Sequence, residues 1–176
     1  MTAPRPRYAY IKRLAERLLE ESGVIQPPVP VEGMARARGC KIIAAKLRDV
    51  SGVLVRSPDG ATIGYNSDHP QTRKRFTIAH ELGHFLLHQG QEVRYDRDFR
   101  VSLRSEESSE GTNIEEIEAN FFAASLLMPD KILAADPRTA FIHLDDDDSV
   151  EALAKSYKVS RQAMSLRLTR LVTRRF

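Results

Sequence analysis

Apolar residues fall at helical spacing from the start of the chain. Ile11, Leu14, Ala15, Leu18 and Leu19 predict an amphipathic helix over residues 8–22, closed by Gly23. The QPPVPVEG segment turns the chain, and Val31–Arg38 reads as a short helix stopped by Gly39. From Lys41 the texture becomes strand-like. Lys41–Leu47, Ser51–Arg56 and Ala61–Asn66 read as three strands, the last two joined through the turn-forming Ser57-Pro58-Asp59-Gly60. Their succession predicts an antiparallel β-meander. Ala61–Asn66 is the expected edge, where an extended peptide could pair.

Residues 76–88 return to helical texture, with Phe76, Ile78, Ala79, Leu82, Phe85, Leu86 and Leu87 on the apolar faces. Gly83 weakens that helix by about 1 kcal/mol unless close packing or a ligand needs the space. Val93, Tyr95, Phe99, Val101 and Leu103 alternate and suggest a further strand, and Ser105–Thr112 reads as a loop. An Ala- and Leu-rich helix follows from Glu115 and stops at Pro129. An irregular stretch then leads to Asp145–Asp148, read as the acidic cap of the next helix. Val150–Val172 is predicted as helix, tight turn, helix, with Ser160 as the second N-cap.

Composition narrows the setting. The chain has 176 residues, 41% of them hydrophobic, enough for one domain with a substantial core and a small appended module. The expected division is residues 1–140 and residues 141–176. A single cysteine, Cys40, excludes an intramolecular disulfide framework and fits a reducing compartment. With neither a signal-peptide core nor a membrane-length apolar run, the expected location is cytoplasmic, with no membrane partner. The net charge of +3 is unevenly spread. Lys155, Lys158, Arg161, Arg167, Arg170, Arg174 and Arg175 face only Glu151 beyond position 150, so the C-terminal helix could contact DNA or an acidic partner. A lone helix-turn-helix-like unit is a weak reader of DNA, which favours packing or substrate docking.

The chemistry concentrates in His80-Glu81-Leu82-Gly83-His84. Two histidines four apart share one helix face and can bind one Zn²⁺, and the intervening glutamate can activate water. Such a site needs a third protein ligand. Glu115, Glu116 and Glu118 compete for that role on the next helix. Glu116 lies one turn before Asn120, beside the small-residue stripe of Ala119 and Ala123, and is the expected ligand. Asn120 would orient a metal-bound histidine. Glu118 points about 200° away from Glu116 and is expected to face solvent, as the second choice of ligand. For the oxyanion, His88, expected at the cleft rim, or Tyr65 could donate.

RFTIAHELGHFLLH and EIEANFFAASLLMP together resemble the ImmA/IrrE family of metallopeptidases, and PPVPVEGMARARGCKI, SGVLV and LAKSYKVSRQAMSLRL extend the likeness over roughly residues 10–172. The resemblance implies a gluzincin-like site of His80, His84 and Glu116 with Glu81 catalytic. The expected fold is α+β, a small antiparallel β-meander packed against a zincin-type helical core with a C-terminal helix-turn-helix-like pair. The implied function is zinc-dependent endopeptidase cleavage of a helix-turn-helix transcriptional repressor, derepressing mobile-element, toxin–antitoxin or stress genes. The alternatives are a non-proteolytic zinc-binding regulator and an antitoxin-like binding module, acting through DNA or protein partners. An intact Glu81 speaks against the first, because a structural zinc site needs no general base.

Overall fold

A computed structural model describes residues 5–89, 92–96, 114–140 and 146–173. Helix α1 (Tyr8–Glu21) and helix α2 (Val31–Ala37) lead into strands β1 (Cys40–Ala45), β2 (Gly52–Ser57) and β3 (Gly60–Asn66). Helix α3 (Gln71–Leu87), strand β4 (Val93–Asp96) and helix α4 (Ile114–Leu127) follow. The chain continues through α5 (Asp130–Ala135), a 3₁₀ turn (Pro137–Ala140), α6 (Asp147–Tyr157) and α7 (Arg161–Thr173). Gly23 and Gly39 take positive φ, +64° and +82°, and end the first two helices as expected.

The architecture is α+β, but the sheet is not a meander. Its strand order is β1-β3-β2-β4, with β1 parallel to β3 and the other pairs antiparallel. The β2–β3 hairpin forms where its turn chemistry placed it. β1 instead adds to the far side of β3, and the connecting loop crosses over. The Asn66 amide holds that loop by donating to the carbonyls of Arg48 and Val50, both at 3.1 Å. β3 is therefore bonded on both sides, which overturns the expectation that Ala61–Asn66 is an edge. Of the alternating 93–103 segment, β4 carries the first part; its remainder and the loop at 105–112 lie outside the described residues.

α3 begins five residues before its apolar run. Its first turns are polar because Arg75, only 8% exposed, donates to the Val29 carbonyl at 2.7 Å and the Lys158 carbonyl at 3.3 Å. At the other end Arg56 of β2 donates to the carbonyls of His84, Phe85 and His88 at 2.7, 3.3 and 2.8 Å. That guanidinium satisfies the orphan acceptors of the helix C-terminus and pins the helix to the sheet.

α4 packs directly on α3. A Cβ on Gly83 would stand 2.9 Å from Phe122 Cδ1 and 3.3 Å from Ala119 Cα, so the glycine marks the point of closest approach. On the other side of α4, Tyr8 of α1 meets Phe121 edge to face at 4.8 Å.

The stretch after Pro129, expected to be irregular, forms α5. Asp130 in its first turn pairs with Lys12 at 2.7 Å and with the buried Arg167 at 2.7 Å. Val150, Leu153, Tyr157, Met164 and Leu168 of α6 and α7 belong to the same buried cluster as Ile11, Leu54, Ile78 and Phe122. Asp146 caps α6 by accepting from the Ser149 backbone at 3.2 Å, and Ser160 accepts from Ala163 N–H at 3.2 Å. Among the described residues no helix is long and apolar enough to cross a membrane.

Because Gly83 sits against Phe122 and the Ala119 backbone, Gly83→Val should overpack the α3–α4 contact and cost about 2 kcal/mol. Thermal denaturation would register this as a lower Tm, and an unchanged Tm would contradict the close approach.

Candidate metal centre

His80 and His84 lie on successive turns of α3, both fully buried, with their Nε2 atoms 2.9 Å apart. Glu116, in the first turn of α4, brings Oε2 to 3.3 Å from His80 Nε2 and Oε1 to 3.4 Å from His84 Nε2. One ligand atom from each of the three lies within 4.8 Å of the others.

The outer ring nitrogens determine what the inner ones present. Asn120 Oδ1 can only accept, so at 2.9 Å it assigns a proton to His80 Nδ1. The Glu118 carboxylate can only accept, so His88 Nε2, 3.0 Å away, carries the proton and donates. In neutral His88 the Nδ1 is then an acceptor, and His84 Nδ1, 3.0 Å from it, must donate. Burial holds the His84 imidazole down at about pKa 4, so it is neutral and its Nε2 is a bare lone pair.

Two imidazole lone pairs and a carboxylate thus converge on one point. Burial alone would raise the Glu116 carboxyl, but the imidazoles opposite outweigh it and hold the group well below the usual carboxylate range. Three convergent acceptors, one anionic, need a cation, and two nitrogens with one oxygen suit Zn²⁺. His84, His88 and Glu115 form a second close group. Its members are otherwise engaged: His88 Nε2 bonds Glu118, and Glu115 pairs with Arg94 at 2.8 Å.

Glu81, between the two histidines, is fully buried against the sheet. A Cβ on Gly52 would stand 2.4 Å from its Oε1 and 2.6 Å from Thr77 Cγ2, so β2 can pass over this carboxylate only with glycine there. Tyr65 is the antiparallel partner of Gly52 on β3 and shares that face of the sheet. It therefore stands on the same side as Glu81.

Two sequence expectations need correction. Glu118 does not face solvent; it is 2% exposed and accepts from the Arg7 backbone N–H at 2.7 Å and the Arg7 guanidinium at 2.6 Å. Burial opposes its ionisation, but Arg7 and His88 hold it at about pKa 2. His88 does not line a cleft rim. It is 8% exposed and sits behind His84, on the Nδ1 side, where it cannot donate to an oxyanion at the convergent point.

Arg94 and Arg7 were absent from the sequence reading. Arg94 reaches from β4 to Glu115 and Glu116 together. Its only trace in the sequence is one cation in a short alternating run. Arg7 carries no motif at all, being 111 residues from its partner. The basic C-terminal face is also smaller than composition implied: Arg167 is 5% exposed and donates to the Met128 carbonyl at 3.0 Å, and Arg161 pairs with Asp147.

Residues 35–169 match the family model described as the IrrE N-terminal-like domain, a peptidase family. No curated protein matches the chain.

Zinc at a hundred times its Kd should stabilise the native chain by about 2.7 kcal/mol, visible as a raised Tm. His80→Gln should abolish that rise, and equal shifts in both proteins would place the metal elsewhere. Gly52→Ala should cost about 1–3 kcal/mol by chemical denaturation, through its collision with Glu81. Gly33→Ala, in α2 with nothing within 4 Å of the new Cβ, should instead stabilise by up to ~1 kcal/mol.

Proposed function

This chain belongs to the ImmA/IrrE family of metallopeptidases, through its IrrE N-terminal-like domain, and on that footing we propose that it is a zinc-dependent endopeptidase that cuts a regulatory protein. The observation that carries the reading is the convergence of His80 Nε2, His84 Nε2 and the Glu116 carboxylate beside the buried Glu81. When bound, zinc supplies Lewis acidity toward water and the scissile carbonyl.

The chain's own residues do the rest. Glu81 takes a proton from the attacking water and hands it to the leaving amine, which its place between the two ligands on one helix allows. Packing against Gly52 and Thr77 restricts the carboxylate, so little freedom is lost as the proton moves. Asn120 and His88 keep the two imidazoles turned with Nε2 inward. Tyr65, on the same side of the sheet, is the proposed donor to the oxyanion. Arg94 adds positive charge next to Glu116, where negative charge develops during hydrolysis.

The ImmA/IrrE resemblance supports a helix-turn-helix repressor as substrate, and derepression of mobile-element, toxin–antitoxin or stress genes as the outcome. A DNA-contacting regulator is less well supported, since Arg161 and Arg167 are engaged within the fold.

The test compares new protein N-termini by mass spectrometry in cells expressing the native chain and cells expressing Glu81→Gln. A cut that needs Glu81 supports the peptidase and identifies its substrate. Identical N-termini, with both proteins zinc-loaded, would favour a binding module that does not cut.

A further inference from the structure

We propose that Arg7, at the surface, and the buried Glu118 and His88 form a strap that positions His84 as a metal ligand, making the segment before α1 part of the metal centre. The inference rests on reading His80, His84 and Glu116 as that centre. It adds three positioning residues, one of which lies outside the 35–169 span that matches the family.

The strap is continuous. Arg7 holds Glu118 through its backbone N–H at 2.7 Å, its Nε at 3.0 Å and its Nη2 at 2.6 Å, and Nη2 also donates to the Leu87 carbonyl at 3.1 Å. One residue thereby ties the last turn of α3 to the first half of α4. Glu118 Oε2 accepts from His88 Nε2 at 3.0 Å, and His88 Nδ1 accepts from His84 Nδ1 at 3.0 Å. With His88 Nε2–H given to Glu118, the single-proton form of His88 leaves Nδ1 to accept from His84.

Metal-bound histidines usually donate their second N–H directly to a carboxylate, carbonyl or water. Here a second imidazole stands between ligand and carboxylate. Glu118 draws on His88 Nε2–H, which makes His88 Nδ1 a stronger acceptor, which in turn makes His84 Nε2 a stronger electron donor. Arg7 fixes the carboxylate through three N–H donors, so the orientation of the ligand depends on a residue that touches neither the metal position nor the histidines.

Glu118 and His88 are 2% and 8% exposed, so water cannot replace either of these two without an opening of the fold, whereas Arg7 closes the strap from the surface with its side chain half exposed. Glu115 pairs with Arg94 rather than with His88, which leaves the His84–His88 contact uncontested.

The test measures zinc affinity of the full chain by competition with a chromophoric chelator for the native protein, Arg7→Gln, Glu118→Gln, His88→Leu and His88→Gln. The metal-free native chain is examined in parallel by ¹⁵N NMR of its histidine rings. One zinc per native chain is expected, with affinity about 10–100-fold weaker in Arg7→Gln, Glu118→Gln and His88→Leu. His88→Gln, whose amide offers one acceptor and one donor, should recover most of the loss; mere packing defects would not respond to that difference. The NMR spectrum should show His84 protonated at Nδ1, independently of how any variant folds.

Equal zinc affinity in all variants would overturn the strap and leave the metal centre standing. A native chain that binds no zinc would overturn both, and a His84 protonated at Nε2 would overturn the strap alone. Two zinc ions per native chain would assign His84, His88 and Glu115 to a second site and likewise overturn it.

Discussion

The distance between α3 and α4 is the constraint on which the centre of this molecule depends. The contacts that bring a carboxylate or amide to the histidines are made across that interface: Glu116 with His80 and His84, Asn120 with His80, and Glu118 with His88. Such short side chains can meet only if the helix axes come close, and Gly83 against Ala119 and Phe122 lets them. The cost of a glycine in mid-helix, about 1 kcal/mol, is offset by burial of the surrounding apolar surface and by these four polar contacts.

A second constraint is electrostatic. Glu115, Glu116 and Glu118 crowd the first half of α4, and a helix N-terminus favours negative charge but cannot by itself offset burying it. Each carboxylate has its own cationic or protic partner: Arg94 for Glu115, the imidazole pair and Arg94 for Glu116, Arg7 and His88 for Glu118. These partners come from β4, α3 and the segment before α1, so the acidic start of α4 acts as the point where the other elements are gathered. Glu118 is the buried one of the three, 2% exposed, so leaving it uncompensated would be far more damaging than losing a surface ion pair.

What could be read from the sequence was local. Helical period placed α1, α3 and α4, capping chemistry placed α6 and α7, and turn chemistry placed the β2–β3 hairpin. The spacing argument set Glu116 beside Asn120, and both do face the histidines, because the two neighbours sit on one helix. The same argument failed for Glu118, since periodicity tells which way a residue points but not what another element puts there. Arg7 is what meets Glu118, across 111 residues. β1 was misplaced for a similar reason: nothing in residues 46–51 signals a crossover, and the Asn66 amide that holds that loop acts from 16 and 18 positions away. His88 has the same helical spacing as His80 and His84, so only the carboxylate behind it distinguishes a supporting imidazole from a cleft residue.

The span between Arg7 and Glu118 bears on how the molecule is made. A ribosome releases Arg7 long before α4 exists, so α1 emerges with its anchoring guanidinium unmatched. The contact that joins them closes the longest loop of any at the site, and loop-closure entropy places such contacts late in folding. Nascent chains that lack α4 contain both histidines of α3 yet none of the carboxylates that complete the cage. The cage of His80, His84 and Glu116 is thereby incomplete until α4 has been synthesised and has folded onto α3.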